Sequence, residues 1–495
     1  MPHRRQIKFW EATMKKRKIS ALALAIILSS TAFASCKKDE VKNDGENNVI
    51  DETPTVKGEN ELGLPDDLRF DGETFNMYLA LATLKSSYIA QEDAENLLAQ
   101  TVYKRNELVK QRLGIDLNIV CTTLTSAGAD QQTETNKISS LILAGDKTYD
   151  VFAHVQHTGM PGLINEGMFL NWNDMPYIDL TKPWWYSNAL RDITFGDKIF
   201  CMTGDYNLPS FSNTECLAFN KTMLDELEME YPYQSVLDGT WTHDKFVEYI
   251  QAATKDLNGD GQMDWDNDRY GFAGWTPEQI QALYVSYGGQ VLEKDDHNMP
   301  VLSIYSRKQV EVIDKMLEVF NLPGAFAQSK EYGLEDRMFE NGRLLFNDSF
   351  LSMIQSMRNY EDEIGFVPYP KMNEEQEDYR SRTANVSGLT YIPVTLDEER
   401  YDLVGATLET MAYYSNRELL PTYFDIILTV QSTRDVESEQ MIPIIRNTAK
   451  FMDMTMGFQP STFVTSGQNT LASHWMSNKS VYEEKLATLI KTYSD

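Results

Sequence analysis

The chain is short of positive charge. Its 495 residues carry 45 Lys and Arg against 74 Asp and Glu, a formal net charge of −29. A basic stripe of the kind that follows a phosphate backbone is missing, which argues against nucleic acid as a partner. Cysteine is also scarce, with four residues at Cys36, Cys121, Cys201 and Cys216. With Cys36 set aside for lipidation (below), three remain, and an odd set is not a disulfide framework. Their spacing matches no zinc pattern. A Cys201–Cys216 bridge within a hairpin and plain buried thiols are the two readings left. The chain has no G-x-S-x-G elbow, no H-E-x-x-H and no P-loop, so the catalytic chemistry that those motifs carry has no sequence support.

Apolar residues make up 42% of the chain and aromatic residues 11%. That is globular material, and the length suits two large lobes better than one core. The N-terminus reads as an export signal. Lys15-Lys16-Arg17-Lys18 precede the apolar run Ile19 to Leu28, and Phe33-Ala34-Ser35-Cys36 close the segment. A basic region, a short apolar run and small residues before a cleavage point are the parts of a secretory signal. The run is too short to hold a bilayer-spanning helix. The ending resembles the bacterial lipobox, with Phe33 where that pattern prefers Leu. It implies a mature chain beginning at Cys36, acylated on its sulfur and held at a membrane by buried methylenes. Met14 is the expected start. Residues 1–35 hold seven Lys/Arg and one Glu, so their removal takes the net charge to −35. Residues 36–69 are mostly polar and charged and are expected to form a flexible tether.

From residue 70 the periodicity alternates between strand and helix. Phe75–Ala80 reads as a strand, and Leu98, Val102, Val109 and Leu113 share one helical face that Gly114 ends. Ile115–Val120 reads as a second strand, Ile138, Leu141 and Leu143 mark a second helix, and Asp150–His154 reads as a third strand. Strand–helix–strand–helix–strand predicts a parallel sheet with right-handed crossovers. Ligands collect outside the carboxyl ends of such strands. His154, Gln156 and His157 are therefore placed near a site rim.

The middle of the chain carries a series of motifs: Pro183-Trp184-Trp185-Tyr186, Asp197 to Gly204 (DKIFCMTG), Leu217 to Met223 (LAFNKTM) and Thr240 to Phe246 (TWTHDKF). Met338 to Phe346 (MFENGRLLF) and Ile364 to Lys371 (IGFVPYPK) follow. In this order and spacing they resemble the bacterial extracellular solute-binding proteins of the maltose-binding type, over residues 70–490. The resemblance implies an α/β chain of the type II periplasmic-binding-protein kind, two lobes joined by a hinge around an interlobe ligand cleft. Its crossings would fall at Asn213–Phe219 and Tyr360–Tyr369. The first lobe would begin with residues 70–212, the second would be 213–360, and 361–495 would return through the hinge into helices packed on both lobes. It also implies a monomer without catalytic function that hands its ligand to the permease of an ABC importer.

Carbohydrate is the expected ligand. Sugar faces stack on aromatic rings, and sugar hydroxyls need placed polar groups. Trp184, Trp185, Tyr206, Trp275, Tyr284, Tyr287 and Phe350 supply the rings, with the tryptophan pair the more structural. Asp205, Asn213, Glu215, Asn347 and Asp348 supply the polar groups. By the family's pattern Asn213, Trp275 and Phe350 sit where ligand contacts arise. An exported glycan-degrading enzyme and a ligand-presenting subunit of a sensor kinase are the alternative readings.

Residues 256–268 read DLNGDGQMDWDND, the front half of an EF-hand-type calcium loop. Asp256, Asn258 and Asp260 stand at positions one, three and five, and Gly261 at the sharp turn. The Gln262 carbonyl and Asp264 would follow. Asn267 stands where a bidentate Glu belongs, so Asp268 is expected to complete a structural Ca2+ site.

Overall fold

The computed structural model describes residues 61–494, apart from 126–127, 156–157, 329–330, 355, 385, 433–436 and 452–454. The leader, Cys36 and His157 lie outside the described residues.

Strands β1 (Thr74–Leu79), β2 (Asp116–Cys121) and β3 (Val151–Val155) pair in parallel with β1 in the middle. The connections are the helices Leu97–Leu113 and Gly128–Leu143. The predicted apolar stripe does its work here: Val102, Val109 and Leu113 are fully buried. Asn96 caps the first helix, its Oδ1 accepting the Ala99 N–H at 2.8 Å, and Gly114 ends it in the left-handed region at φ 66°. Both ends are thus settled by local chemistry.

The chain leaves this sheet between Asn207 and Thr214 and enters a second. Strand β4 (Glu215–Asn220) is followed by β5 (Tyr270–Trp275) and by a separate hairpin of β6 (Leu292–Lys294) and β7 (Pro300–Leu302). Then come β8 (Ala325–Gln328), β9 (Leu344–Phe350) and β10 (Ile364–Val367). The second sheet has the order β10-β4-β9-β5-β8, with β5 parallel to both neighbours and β4 antiparallel to both of its own. Strand β11 (Ser381–Thr383) leads back to β12 (Gly388–Tyr391), which completes the first sheet in the order β12-β3-β1-β2. Finally β13 (Ala449–Phe451) pairs in parallel with β11. These are two α/β lobes of the type II periplasmic-binding kind.

The return crossing corrects the expectation of Tyr360–Tyr369. Ile364–Val367 is β10, paired with β4 inside the second sheet, and the return is made at Ser381–Gly388. All four β10 residues are buried. A run buried on both faces has no alternation, so it reads as a strand without saying which sheet owns it.

The C-terminal helices pack on both lobes. Helix Tyr401–Tyr414 runs through a π turn, Ser415–Leu419, into Leu420–Ser432. Buried Arg105 of the first lobe donates to Ser415 Oγ at 2.7 Å. Helix Ser438–Asn447 lies on β10, where the Phe366 N–H reaches Ser438 Oγ at 3.2 Å. Helix Leu471–Ser494 touches both lobes. Trp475 stacks on Tyr305 near β7, while Tyr493 sits edge-on to Phe195 and Phe200 at 5.1 and 5.0 Å. The tryptophan pair is structural: the indoles of Trp184 and Trp185 donate to the two carboxylate oxygens of Glu409, at 2.9 and 2.8 Å. Cys121, Cys201 and Cys216 are free thiols, the last two buried. No described helix is long and apolar enough to cross a membrane.

Candidate ligand cleft

Strands β5, β8 and β9 run parallel, so Trp275, Gln328 and Phe350 end at one edge of the second sheet. Strand β4 runs the other way, and its first residue, Glu215, pairs with Phe350 at that same edge. Asn213 lies two residues earlier, with Ser352 Oγ donating to its Oδ1 at 3.4 Å. The first sheet ends likewise in the loop after β1, where Ala82, Thr83, Lys85 and Asn96 help line a cavity of about 470 Å3. Edges of this kind are where open α/β sheets hold ligands.

The second-sheet edge combines aromatic surface with uncommitted polar groups. Trp275 meets Tyr332 edge-on at 5.3 Å, and Tyr332 is 82% exposed. At Gly274 an added Cβ would lie 2.7 Å from Asp348 Cβ and 2.8 Å from Gln279 Cδ. The missing side chain thus lets both residues close over β5. Both amide atoms of Gln279, Glu278 Oε2, Asn347 Oδ1 and Ser349 Oγ are buried without a hydrogen-bond partner among the described residues. Such atoms are rare in a settled interior and mark places that accept a partner. The Tyr369 hydroxyl donates to Asp348 Oδ1 at 2.5 Å. Burial outweighs that bond and pushes the Asp348 carboxyl up to about 7.

Below this edge a fully buried ion pair, Arg382–Glu215, joins the outgoing strand β4 to the returning strand β11. Burial drives the Glu215 carboxyl upward against the pull of Arg382. Just ahead of the first crossing lies Asp205, which is 8% exposed. Asn416 Nδ2 donates to it at 2.7 Å and Arg446 Nη2 stands 3.7 Å away. Burial still pushes Asp205 up to about 6. The Arg446 guanidinium lies 5.3 Å from the rings of both Phe211 and Phe424, and Phe211 meets Tyr423 edge-on.

Asn213, Trp275 and Phe350 are therefore gathered at one edge, and Asp205 is set among the C-terminal helices. Three other candidates are not brought to the cleft. His154 is fully buried inside β3, its Nε2 3.0 Å from Thr135 Oγ1 and 3.1 Å from the Gln131 carbonyl. The strand runs one residue further than predicted, and its two-residue period turns His154 onto the helix Gly128–Leu143. Tyr206 is buried with its hydroxyl on Thr390 Oγ1 at 3.1 Å. Tyr284 is buried in helix Glu278–Ser286, donating to Gln309 Oε1 at 2.8 Å. Nearness to a loop does not separate a ring that faces solvent from one that fills a core. Conversely, Arg446, Asn416, Gln279 and Tyr332 carry no motif, and nothing local in the sequence links the first two to Asp205.

The acidic loop folds around its own amides. Asp256 accepts the N–H groups of Gly259 and Gly261 at 2.6 and 2.8 Å. Asn258 and Asp260 each accept the N–H two residues on, at 2.8 Å. Gly261 takes the left-handed turn at φ 79°. Asp264 is half-buried and held below the usual carboxylate range by hydrogen bonds, the Asn267 side chain foremost. Asp268 corrects the expectation: it is fully buried, and its two oxygens accept the N–H groups of Leu257 and Asp264 at 2.9 and 2.8 Å. It closes the loop instead of facing an ion. The oxygen donors suit a hard cation, yet among the described residues no three His, Cys, Asp or Glu side chains stand close enough to share one.

The family described as "Bacterial extracellular solute-binding protein" matches residues 110–391. A cyclo/maltodextrin-binding protein complexed with maltotetraose is 14% identical with a TM-score of 0.52, covering 86% of this chain and 97% of its own. The cyclic alpha-maltosyl-1,6-maltose binding protein of Arthrobacter globiformis is 12% identical, TM-score 0.52, covering 85% and 98%. UgpB of Mycobacterium tuberculosis, in complex with glycerophosphocholine, is 12% identical with the same TM-score of 0.52, covering 84% and 98%. At these identities the likeness is one of fold. No curated protein sequence matches the chain. With more than half of its length matched and two lobes joined by two crossings, the chain belongs to the bacterial extracellular solute-binding proteins.

Proposed function

We propose that this protein captures a carbohydrate, an oligosaccharide, between its lobes and delivers it to an ABC importer, tethered to the outer face of a membrane through a lipid on Cys36. The observation that carries the reading is the second-sheet edge. That edge carries the Trp275–Tyr332 ring pair together with buried Gln279, Asn347 and Ser349 atoms that lack hydrogen-bond partners among the described residues. A sugar supplies both counterparts, a C–H face for the rings and hydroxyls for the polar atoms. Two relatives of the same fold are described with glucose oligomers as ligands, which supports the class. Closure would follow ligand binding to both lobes, with the crossings at Asn207–Thr214 and Ser381–Gly388 as the hinge.

A thermal-shift screen of mono- and oligosaccharides tests the reading, because a ligand of the folded state raises the melting midpoint by mass action. A saturable shift with a glycan and no release of reducing sugar is expected. A shift with peptides or polyamines alone would overturn the class, and glycan cleavage would favour an enzyme. For the anchor, mass spectrometry of the membrane fraction should find diacylglycerol on Cys36, and the Cys36→Ser variant should leave that fraction and appear in the soluble one.

We also propose that the loop 256–264 takes one structural Ca2+ through Asp256, Asn258, Asp260, the Gln262 carbonyl and Asp264. Calcium would draw those oxygens together and pin the loop at the entry to β5. Chelation should lower the melting midpoint, and calcium should restore it. An unchanged midpoint, with no metal in the purified protein, would remove the ion.

A further inference from the structure

A second cavity, of about 390 Å3, opens where the lobes meet, and none of the cleft residues named above lines it. Its walls include Arg191 and Asp192 of the first lobe, Glu293 and Lys294 of β6, Arg380 beside β11, and Lys450 of β13. Lys308 stands behind it: a Cβ on Gly288 would lie 3.3 Å from Lys308 Nζ and 3.8 Å from Arg380 Nη1. Five cations thus gather in a chain whose net charge is −29.

Their local partners do not match them. Arg191 is fully engaged, with Asp192 at 2.7 and 2.9 Å, Asn188 at 2.8 Å and the Ala449 carbonyl at 3.0 Å. That pair is electrically closed, and Asp192 also accepts the Phe451 N–H at 3.0 Å. Lys294 donates to the carbonyls of Arg191 and Thr194, which carry no charge to offset its own. Glu293 accepts from Ser303 Oγ at 3.0 Å. The Arg380 and Lys450 side chains make neither a hydrogen bond nor an ion pair with any described residue. Burial leads in holding Lys294, Arg380 and Lys450 below their ordinary values. Neighbouring cations add to it, and Asp192, Glu293 and Asp378 only partly oppose it. Half-buried cations left unpaired in this way are costly unless an anion arrives.

We propose that this cavity binds a tetrahedral oxyanion, phosphate or sulfate, free or as an ester. Arg380 brings a planar fork that matches two such oxygens, and Lys294 and Lys450 bring point charges from two further elements. Two or three uncompensated cations facing one space suit a dianion better than a single carboxylate. The space exceeds one such ion several-fold, since a water takes about 30 Å3, so an ester also fits. The site draws on the first lobe, the second lobe and β13 together. An anion held there fixes their arrangement, and its binding must be linked to that of any ligand that closes the lobes.

The test is thermal melting of the purified protein in millimolar phosphate or sulfate, with sodium chloride holding ionic strength constant. The wild type should show a saturating rise in midpoint that the R380Q/K450Q variant lacks. Neither side chain has a partner among the described residues to leave stranded, so the variant should fold. Should it not, K450Q alone should show a weakened rise, and phosphorus NMR line broadening by the wild type gives an independent reading. Glycerol phosphate separates the sources: tighter binding than inorganic phosphate assigns an ester, and equal or weaker binding assigns the free ion. No rise beyond the chloride control, or an equal rise in the variant, would overturn the site.

Discussion

The substitution Asp205→Asn should make the protein more stable at neutral pH. Asp205 is buried, and burial lifts its carboxyl from 3.8 to about 6 in spite of Asn416 and Arg446. Well below pH 3.8 the group is neutral in both the folded and the unfolded chain and costs nothing. As pH rises from there to 6, the unfolded chain gives up its proton first while the folded chain still holds it, so folding stability falls. By pH 7 the loss is complete and amounts to about 3 kcal/mol at 1.36 kcal/mol per unit. Asn keeps the shape and carries no charge, so the difference between variant and wild type isolates this group from every other carboxylate. Urea unfolding at steps between pH 4 and 8 reads it. The curves should nearly coincide at pH 4 and separate in favour of the variant as pH rises. A variant less stable than wild type at every pH would mean that the carboxylate is a structural tie to Asn416 and Arg446, and that the reasoning is wrong.

Three further outcomes follow from the geometry. Glu409→Ala strands two buried indole N–H groups, those of Trp184 and Trp185, and should cost about 2–5 kcal/mol by chemical denaturation. Arg382→Met leaves the buried Glu215 carboxyl without its partner and should cost about 3–5 kcal/mol, whereas the double change Glu215→Leu/Arg382→Met should cost far less. A double-mutant cycle reads the difference. Trp275→Ala should leave the melting midpoint of the free protein nearly unchanged, because the ring is half exposed. It should weaken glycan binding by about 1 kcal/mol or more, fivefold or greater, in a calorimetric titration.

The first lobe was legible because its signals are local. Strand alternation, the Val102–Val109–Leu113 stripe and Gly114 each depend on residues a few positions apart, and the structure reproduces them. The hinge was less so. Buried β10 has the same appearance in either sheet, and only its pairing with β4 decides its place. The cleft divides in the same way. Trp275 and Phe350 end strands that a motif could find. Arg446 and Asn416 reach Asp205 from the far end of the chain, through packing that no local pattern encodes. His154 shows the opposite error: a strand end misjudged by one residue turns a rim residue into a core residue.

The central claim is that the edge carrying Trp275, Tyr332 and Gln279 receives a sugar while the lobes close on it. Calorimetric titration of the purified protein with linear and cyclic gluco-oligosaccharides, alongside Trp275→Ala, tests it most directly. Saturable one-to-one binding with a negative heat-capacity change, weakened in the variant, is the predicted result. Binding that is unaffected by Trp275→Ala, or no binding by any glycan while a peptide or polyamine binds, would contradict it.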